Sequence, residues 1–275
     1  MRNDPLEIEA AGAKAGVNPM FGEWQHTFQH APVPYGNGTA LKELRKRVHA
    51  ELTNKFLFSN EIAITITLYM DVQKILETSE TADIDNYAKG LLDCLRGANG
   101  IMIDDTQVQA LTISWLDSHE TYFDVEIKGS PDDFLLQPVE LYEMADGLWY
   151  PLSRQVWDNG QTKDQGEFSL LAGLLATDTM AGVMKGVRKQ LRSAGLDRLQ
   201  VFQESQRYAT SARGFHKSRI ADAGFPLHER KEWQASLPAW RAAHTKLAEL
   251  ETKLGKLRDS WETVAEAHGK VVRSE

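Results

Sequence analysis

The stretch that decides the fold is Asp83-Ile84-Asp85-Asn86-Tyr87-Ala88-Lys89. On an extended backbone, side chains two residues apart point to the same side, so Asp83 and Asp85 are predicted to share one small volume. Asp85 and Asn86 are also residues that begin helices well, which predicts a change from strand to helix at this point. Lys89 follows Asp85 by about one helical turn and is therefore predicted to lean back towards the two acids.

The residues that follow predict a helix and then a return of the chain. Apolar side chains from Tyr87 to Leu95 follow helical spacing. The segment Gly97–Gly100 breaks this helix and lets the chain turn, which brings Asp104-Asp105 back towards the start of the motif. Several carboxylates and one lysine in so short a span predict a divalent metal site built from hard oxygen ligands.

Simpler interpretations of the acidic residues also have to be weighed. An Asp-x-Asp pair alone is more typical of a solvated turn or a helix cap. A calcium loop of the EF-hand type is excluded, because Ala88 stands where such a loop needs glycine and Cys94 where it needs glutamate. The functional interpretation therefore depends on the complete pattern: Asp-x-Asp-Asn-x-x-Lys, a helix that carries Asp93, a glycine-bearing loop and Asp-Asp-x-x-Val before a strand.

That complete pattern resembles the signature of the RusA family of Holliday junction resolvases. The resemblance spans residues 58–128 and extends back to residue 30. It implies a homodimeric endodeoxyribonuclease that resolves four-way DNA junctions with Mg²⁺, for which Mn²⁺ could substitute. It also implies functional roles for Asp83, Asp85, Lys89 and Asp104, with the three aspartates as metal ligands. The segment Ala31–Gly36 departs from the family, since it lacks the arginine that members carry there, and this leaves open how the DNA is held.

The resemblance further assigns a role to each of these residues. The metal would orient and acidify a water molecule for in-line attack on a phosphodiester. Lys89 would contact the scissile phosphate or steady the attacking water, and Asp105 would be a helper. Two alternatives stay open: a metal-dependent nuclease that acts on other branched DNA or on RNA, and a non-catalytic scaffold that recruits partners through its C-terminal helices.

Composition excludes some classes of protein. The chain has 275 residues, of which 42% are hydrophobic, and no apolar run long enough to predict a membrane span. The acidic N-terminus does not resemble a secretory signal. Cys94 is the only cysteine, which fits a reducing cytoplasm, and its place in the predicted helix indicates a small buried side chain.

The distribution of charge argues mildly against binding of nucleic acid. The formal net charge is −8, and residues 1–130 hold 11 Lys and Arg against 19 Asp and Glu, whereas residues 131–275 hold 20 of each. A dense basic patch lies on an amphipathic helix predicted over 39–58. Its members are candidate DNA-binding residues: Lys42, Arg45, Lys46 and Arg47. A solvated helix face is the alternative interpretation.

The remaining periodicities define the expected architecture. Alternating β-branched residues predict a strand over 61–71, a polar loop is expected over 72–82, and strands over 107–116 and 121–128 are predicted to form a hairpin. The expected fold class is α/β, of the α+β type, with a mixed sheet and helices followed by a mainly helical region.

Three domains are predicted: an N-terminal extension (1–30), a nuclease-like domain (31–130) and a mostly helical C-terminal region (131–275). The last contains a heptad helix over 239–272, whose Trp240, Leu247, Leu254 and Trp261 recur every seven residues. This seam could pack in a hairpin with the region around 183–206 or in a dimeric coiled coil.

Overall fold

The computed structural model describes residues 16–18, 22–78, 83–130, 133–158, 161–205 and 213–274. In chain order its elements are β1 (Gly16–Asn18), β2 (Glu23–Phe28), α1 (Gly38–Glu51), β3 (Phe56–Phe58), β4 (Ile62–Met70), α2 (Val72–Glu77), α3 (Ile84–Leu95), a 3₁₀ turn (Asp105–Gln107), β5 (Val108–Asp117), β6 (Tyr122–Lys128), β7 (Phe134–Leu136), β8 (Val139–Glu143), β9 (Trp149–Ser153), β10 (Gln155–Asp158), β11 (Gln161–Asp164), α4 (Glu167–Ser193), α5 (Arg198–Ser205), α6 (Lys217–Ile220), β12 (Leu227–His228), α7 (Arg230–Ala235), α8 (Leu237–Ala243) and α9 (Lys246–Ser274). The expected mixed α/β class is confirmed.

A mixed five-stranded sheet organises the part of the chain that contains the motif. Its strand order is β1-β2-β6-β4-β5, with β4 and β5 parallel and the other neighbours antiparallel. Every second side chain of β4 is buried, from Ile62 to Met70. The same core contains Leu44 and Val48 of α1 and Leu91 and Leu95 of α3. Burial of each such side chain contributes about 1.5–3 kcal/mol, so this face of the sheet fixes both helices.

The predicted hairpin between the two strands after the motif is wrong. Both strands form, but β4 lies between them and pairs with β5 on one side and β6 on the other. A parallel pair needs a long crossover connection, and α3 with its flanking loops provides it between β4 and β5. The alternating apolar residues of β4 bury most completely in a central strand, so burial outweighs the short turn between β5 and β6.

The helix predicted over 39–58 is shorter than expected. It ends at Glu51, because Leu52 is extended (φ −73°, ψ 99°). Phe56 lies instead in β3, which pairs with β7, and all three residues of β3 are buried. A helical segment at the surface could not bury three consecutive side chains, so the strand is the better solution. The loop expected after β4 also contains a short helix, α2, whose N-cap is Asp71.

Contacts divide the chain into two compact units. The first comprises residues 1–138, 155–163 and 219–225, and the second comprises 139–154, 164–218 and 226–275. Strand β2, within the predicted N-terminal extension, pairs with β6 along six residues and is part of the central sheet. The predicted domain limits at residues 30 and 130 stay a prediction.

The second unit is mainly helical, as expected, and includes a three-stranded sheet of order β12-β8-β9. The long helices α4 and α9 pack against each other. Leu247 of α9 is fully buried, in one cluster with Leu171 and Leu174 of α4. The predicted continuous heptad helix is interrupted at His244, where the backbone is extended between α8 and α9. The first apolar residues of the heptad pattern in α9, beginning with Leu247, are therefore packed within the chain.

Helix α4 is the one segment in the described part of the chain that meets the length and composition of a membrane span. The sequence predicted no such segment. Core helices of globular proteins meet the same criterion, and nine α4 residues, among them Leu170, Ala181 and Leu191, are buried within the second unit. This finding is weak evidence for a membrane span.

Two leucines of α9 test the packing of the heptad seam. We expect Leu247→Ala to lower the free energy of unfolding of the second unit by about 2–5 kcal/mol, because it empties a fully buried site. Leu257, which is 41% exposed, provides the matched control, and its change to Ala should cost less than about 1 kcal/mol. Denaturant unfolding of the full chain measures both values. Equal losses for the two variants would contradict this packing.

Candidate functional site

The first acidic residues of the motif lie where α3 begins. Asp83 is the N-cap residue, with an extended backbone (φ −65°, ψ 154°) and no capping hydrogen bond from its side chain. Asp85 lies in the first turn, and both side chains are exposed. The prediction of an extended backbone from Asp83 to Asp85 is therefore wrong, because the helix begins between them. That their side chains share one small volume stays a prediction. The predicted change into a helix at this point is confirmed.

Lys89 lies one turn further along α3, and its contact is aromatic. Its Nζ is 3.5 Å from the centroid of the Tyr35 ring, a cation–π arrangement. Tyr35 is held there by its backbone N–H, which donates to the carbonyl oxygen of Asn86 over 2.8 Å. Gly90 permits this approach, since a Cβ there would lie 2.5 Å from the carbonyl oxygen of Val33. The loop before α1 thus positions the lysine of the motif.

The two aspartates after the glycine-bearing loop differ in burial. Asp104 is fully buried, and its Oδ2 accepts hydrogen bonds from the N–H and hydroxyl of Thr106. Its Oδ1 is buried without a hydrogen-bond partner, with Arg96 Nη1 3.7 Å away. The side chain of Asp105 is 40% exposed. The pKa of Asp105 is raised, first by burial and then by the charge of Asp104, while Arg96 and Arg219 act in the opposite direction.

Gln107 holds this corner in place through four hydrogen bonds. Its Oε1 accepts from the N–H groups of Ile103 and Asp104 at 2.7 and 3.0 Å. Its Nε2 donates to the carbonyl oxygens of Phe58 and Asn60 at 2.9 and 2.8 Å. The side chain therefore joins the connection between β3 and β4 to the turn that presents Asp104. The sequence offered a weak signal for this role, since Gln is common at the third residue of a capping box.

Arg96 gathers carboxylates around a single guanidinium group. Its Nε lies 3.3 Å from Asp93 Oδ1, its Nη1 3.7 Å from Asp104 Oδ1 and its Nη2 3.1 Å from Asp222 Oδ2. The spacing of Asp93 and Arg96 is a normal helical ion-pair signal. Asp222 had no local signal, because it lies 126 residues further along the chain.

The structure thus connects some predicted site residues and separates others. Asp104 lies beside Arg96, which also pairs with Asp93, at the C-terminal end of α3. Asp85 precedes Asp93 by eight residues, which corresponds to about 12 Å along the helix axis. Among the described residues, no group of three His, Cys, Asp or Glu side chains is arranged to hold a metal ion. The assignment of Asp83, Asp85 and Asp104 as metal ligands stays a prediction.

The chemistry of these residues nevertheless suits a hard cation. Carboxylate oxygens are the ligands that Mg²⁺ prefers, and the exposed side chains of Asp83 and Asp85 are able to change rotamer. The buried Oδ1 of Asp104 has no hydrogen-bond donor, which is an unfavourable state that a cation would relieve.

The basic patch of α1 separates into two groups. Lys42, Lys46 and Arg47 are exposed. Arg45 is half-buried, and its Nη2 donates to the carbonyl oxygen of Arg96 over 3.3 Å. Arg45 therefore connects α1 to the end of α3, while the other three side chains remain available to a phosphate backbone.

Cys94 has no nucleophilic role in this arrangement. It is buried on α3, and burial raises the pKa of its thiol to about 12. A thiol with such a pKa is protonated at neutral pH, which agrees with the prediction of a small buried side chain.

Comparison with known proteins gives one family. Residues 17–128 match the family described as Endodeoxyribonuclease RusA. No curated protein matches the chain. The matched region includes β2 to β6 and all the motif residues from Asp83 to Asp105.

A substitution of Gln107 tests how the corner is held. We expect Gln107→Ala to lower the free energy of unfolding of the first unit by roughly 3 kcal/mol or more, because it withdraws one hydrogen bond from each of four backbone groups. The exposed Gln109 on β5 is the control, and its change to Ala should stay within about 0.5 kcal/mol. If both variants unfold at the same denaturant concentration, Gln107 does not have this role.

Proposed function

We propose that this protein resolves four-way DNA junctions by paired, magnesium-dependent nicks, because residues 17–128 match the family described as Endodeoxyribonuclease RusA. The main support comes from the place of the motif. It lies complete inside the matched domain, and its later aspartate, Asp104, has a buried carboxylate oxygen without a hydrogen-bond partner.

Each predicted residue has a place in the proposed reaction. Asp83, Asp85 and Asp104 would hold Mg²⁺, which when bound lowers the pKa of a coordinated water and stabilises charge on phosphorus. Lys89 would contact the scissile phosphate, since its side chain is exposed and its ammonium group lies over the Tyr35 ring, where it can still reach a ligand. Asp105, which adjoins Asp104 and is partly exposed, is the proposed helper.

Paired nicks need two sites, so we propose a homodimer. A two-fold dimer presents identical sites to the two opposed strands of a four-way junction, which has the same symmetry. The acidic charge of residues 1–130 opposes the approach of DNA. Bound metal and the exposed side chains of Lys42, Lys46 and Arg47 would offset this repulsion locally.

The substitution Asp85→Asn tests the proposed chemistry. It keeps the size of the side chain and removes a charged ligand, so we expect at least a hundredfold loss of magnesium-dependent cleavage, on the scale of other losses of transition-state stabilisation (about 10²–10³). The assay is cleavage of a labelled four-way junction, and circular dichroism checks that the variant is folded. The variant Asp259→Asn, in the exposed part of α9, should retain full activity. A fully active Asp85→Asn protein would reject the assignment.

The same assay identifies the substrate. Four-way, flap and linear substrates of matched sequence should differ, with symmetric nicks in the four-way junction alone. Equal cleavage of all three would reject junction specificity and favour a nuclease for other branched DNA.

Salt dependence tests the basic face of α1. We expect the triple change of Lys42, Lys46 and Arg47 to Gln to weaken junction binding and to reduce the slope of log K against log [salt] by about 1 for each phosphate that is no longer neutralised. Binding is measured in the Asp85→Asn background, so that no cleavage interferes. A matched control changes Lys253, Lys256 and Arg258 on α9 to Gln, which removes the same charge. If the slopes of the two triple variants agree, α1 does not contact the phosphates.

A further inference from the structure

A short segment far along the chain belongs to the first compact unit. Residues 219–225 follow the end of the matched domain by 90 residues and lie against the loop after α3. Ile220, Ala223 and Phe225 are buried, at 0%, 4% and 7% exposure. The N–H of Ala98 donates to the carbonyl oxygen of Ala223 over 2.8 Å. The segment is therefore packed and hydrogen-bonded as an integral part of this unit.

The loop after α3 is shaped to receive this segment. Gly97 has φ +103°, and a Cβ there would lie 2.8 Å from the carbonyl oxygen of Ala223. Glycine is thus required twice, for the left-handed backbone and for the close approach. The same glycine-bearing loop that lets the chain return to Asp104 also provides the surface on which Ala223 rests.

An arginine anchors the other end of the segment. Arg96 Nη1 and Nη2 donate to the two carboxylate oxygens of Asp222 at 3.4 and 3.1 Å. The Nη1 atom also donates to the carbonyl oxygen of Arg219 over 3.2 Å. A guanidinium group that binds both a carboxylate and a backbone carbonyl fixes the backbone of Arg219 beside the acidic corner.

The guanidinium group of Arg219 lies next to Asp105. Its Nη1 is 3.9 Å from Asp105 Oδ1, at the limit of an ion pair, and the side chain is 57% exposed. Arg96, by contrast, is 16% exposed and is occupied by three carboxylates. Arg45 is half-buried and bonded to the carbonyl oxygen of Arg96. Of these three arginines, Arg219 is the one that can turn towards a ligand at little cost.

We propose that Arg219 contacts a phosphate of the DNA backbone beside the scissile bond. The inference rests on the proposed nuclease function and adds a residue from outside the matched domain. The carboxylates of Asp104 and Asp105 would repel a phosphate, and an arginine at their edge offsets that repulsion. Its planar guanidinium group can donate two parallel hydrogen bonds to phosphate oxygens. Arg45 and Arg219 both adjoin Arg96, since Arg45 donates to the carbonyl oxygen of Arg96 and Arg96 donates to that of Arg219.

Salt-dependent binding of a four-way junction tests this contact. In the Asp85→Asn background, Arg219→Gln should weaken binding and reduce the slope of log K against log [salt] by about 1, as expected when one phosphate is no longer neutralised. Arg219→Lys should restore the slope, because the charge returns. Arg258→Gln on α9 is the control, since Arg258 is similarly exposed (53%) and also lies beside a carboxylate; its slope should equal that of the parent.

Two results would overturn the inference. One is an Arg219→Gln slope equal to that of the parent; the other is tighter binding, which would show that Arg219 competes with the ligand at Asp105. Thermal unfolding of Arg219→Gln should match that of the parent, since the side chain is exposed. Failure of the proposed function is distinguishable from failure of this inference. In that case the unsubstituted chain does not cleave a four-way junction, while the salt slopes of the Arg219→Gln variant and its parent still show whether Arg219 contacts a phosphate.

Discussion

The buried amide of Gln107 is the constraint on which the candidate site depends. It bonds the carbonyl groups of Phe58 at the end of β3 and of Asn60 in the loop before β4, and two N–H groups before β5, so a single side chain serves four backbone groups. Unpaired buried backbone groups are costly, so these bonds favour the observed register of the parallel strands β4 and β5 over shifted registers. Asp104 is positioned by the same bonds, since one of the N–H groups is its own. The same hydrogen bonds of Gln107 therefore determine both the arrangement of the strands and the position of Asp104.

The burial of Asp104 has an electrostatic consequence for the surrounding residues. A carboxylate without solvent needs a compensating charge, and Arg96 provides it while also serving Asp93 and Asp222. Three carboxylates share one guanidinium group, so the corner as a whole is negative. The raised pKa of Asp105 follows from burial together with this excess of negative charge. An acidic corner of this kind attracts cations, as the guanidinium group of Arg219 beside Asp105 shows, and the proposed divalent ion at Asp104 would have the same favourable sign of charge.

The parts of this structure that the sequence predicted are those with local causes. The alternation of Ile62, Ile64 and Ile66 defined β4, and the break at Gly97 followed from a residue that tolerates a left-handed backbone. The hairpin was wrong because pairing is decided by which strand buries most surface, and a short turn carries no information about that. Phe56 was assigned to a helix because a single apolar residue fits both the helical and the strand periodicity.

Of the site, the motif residues were recognisable, whereas the convergence of Asp83 and Asp85 with Asp104 was not established. Asp222 and Arg219 were beyond prediction, since only tertiary packing brings them to α3.

The docking of residues 219–225 also bears on the charge of the protein. Residues 1–130, with an excess of eight acidic residues, are poorly suited to attract DNA by their net charge. Long-range attraction is weak at physiological ionic strength, where charges more than about 8 Å apart are largely screened, so the local arrangement of cations decides the contact. In this chain Arg45 donates to the backbone carbonyl oxygen of Arg96, and Arg96 donates to that of Arg219, which comes from the electrically neutral half of the sequence. A segment outside the matched residues 17–128 therefore places a cation beside Asp105, which gives the C-terminal half a direct physical connection to the candidate site.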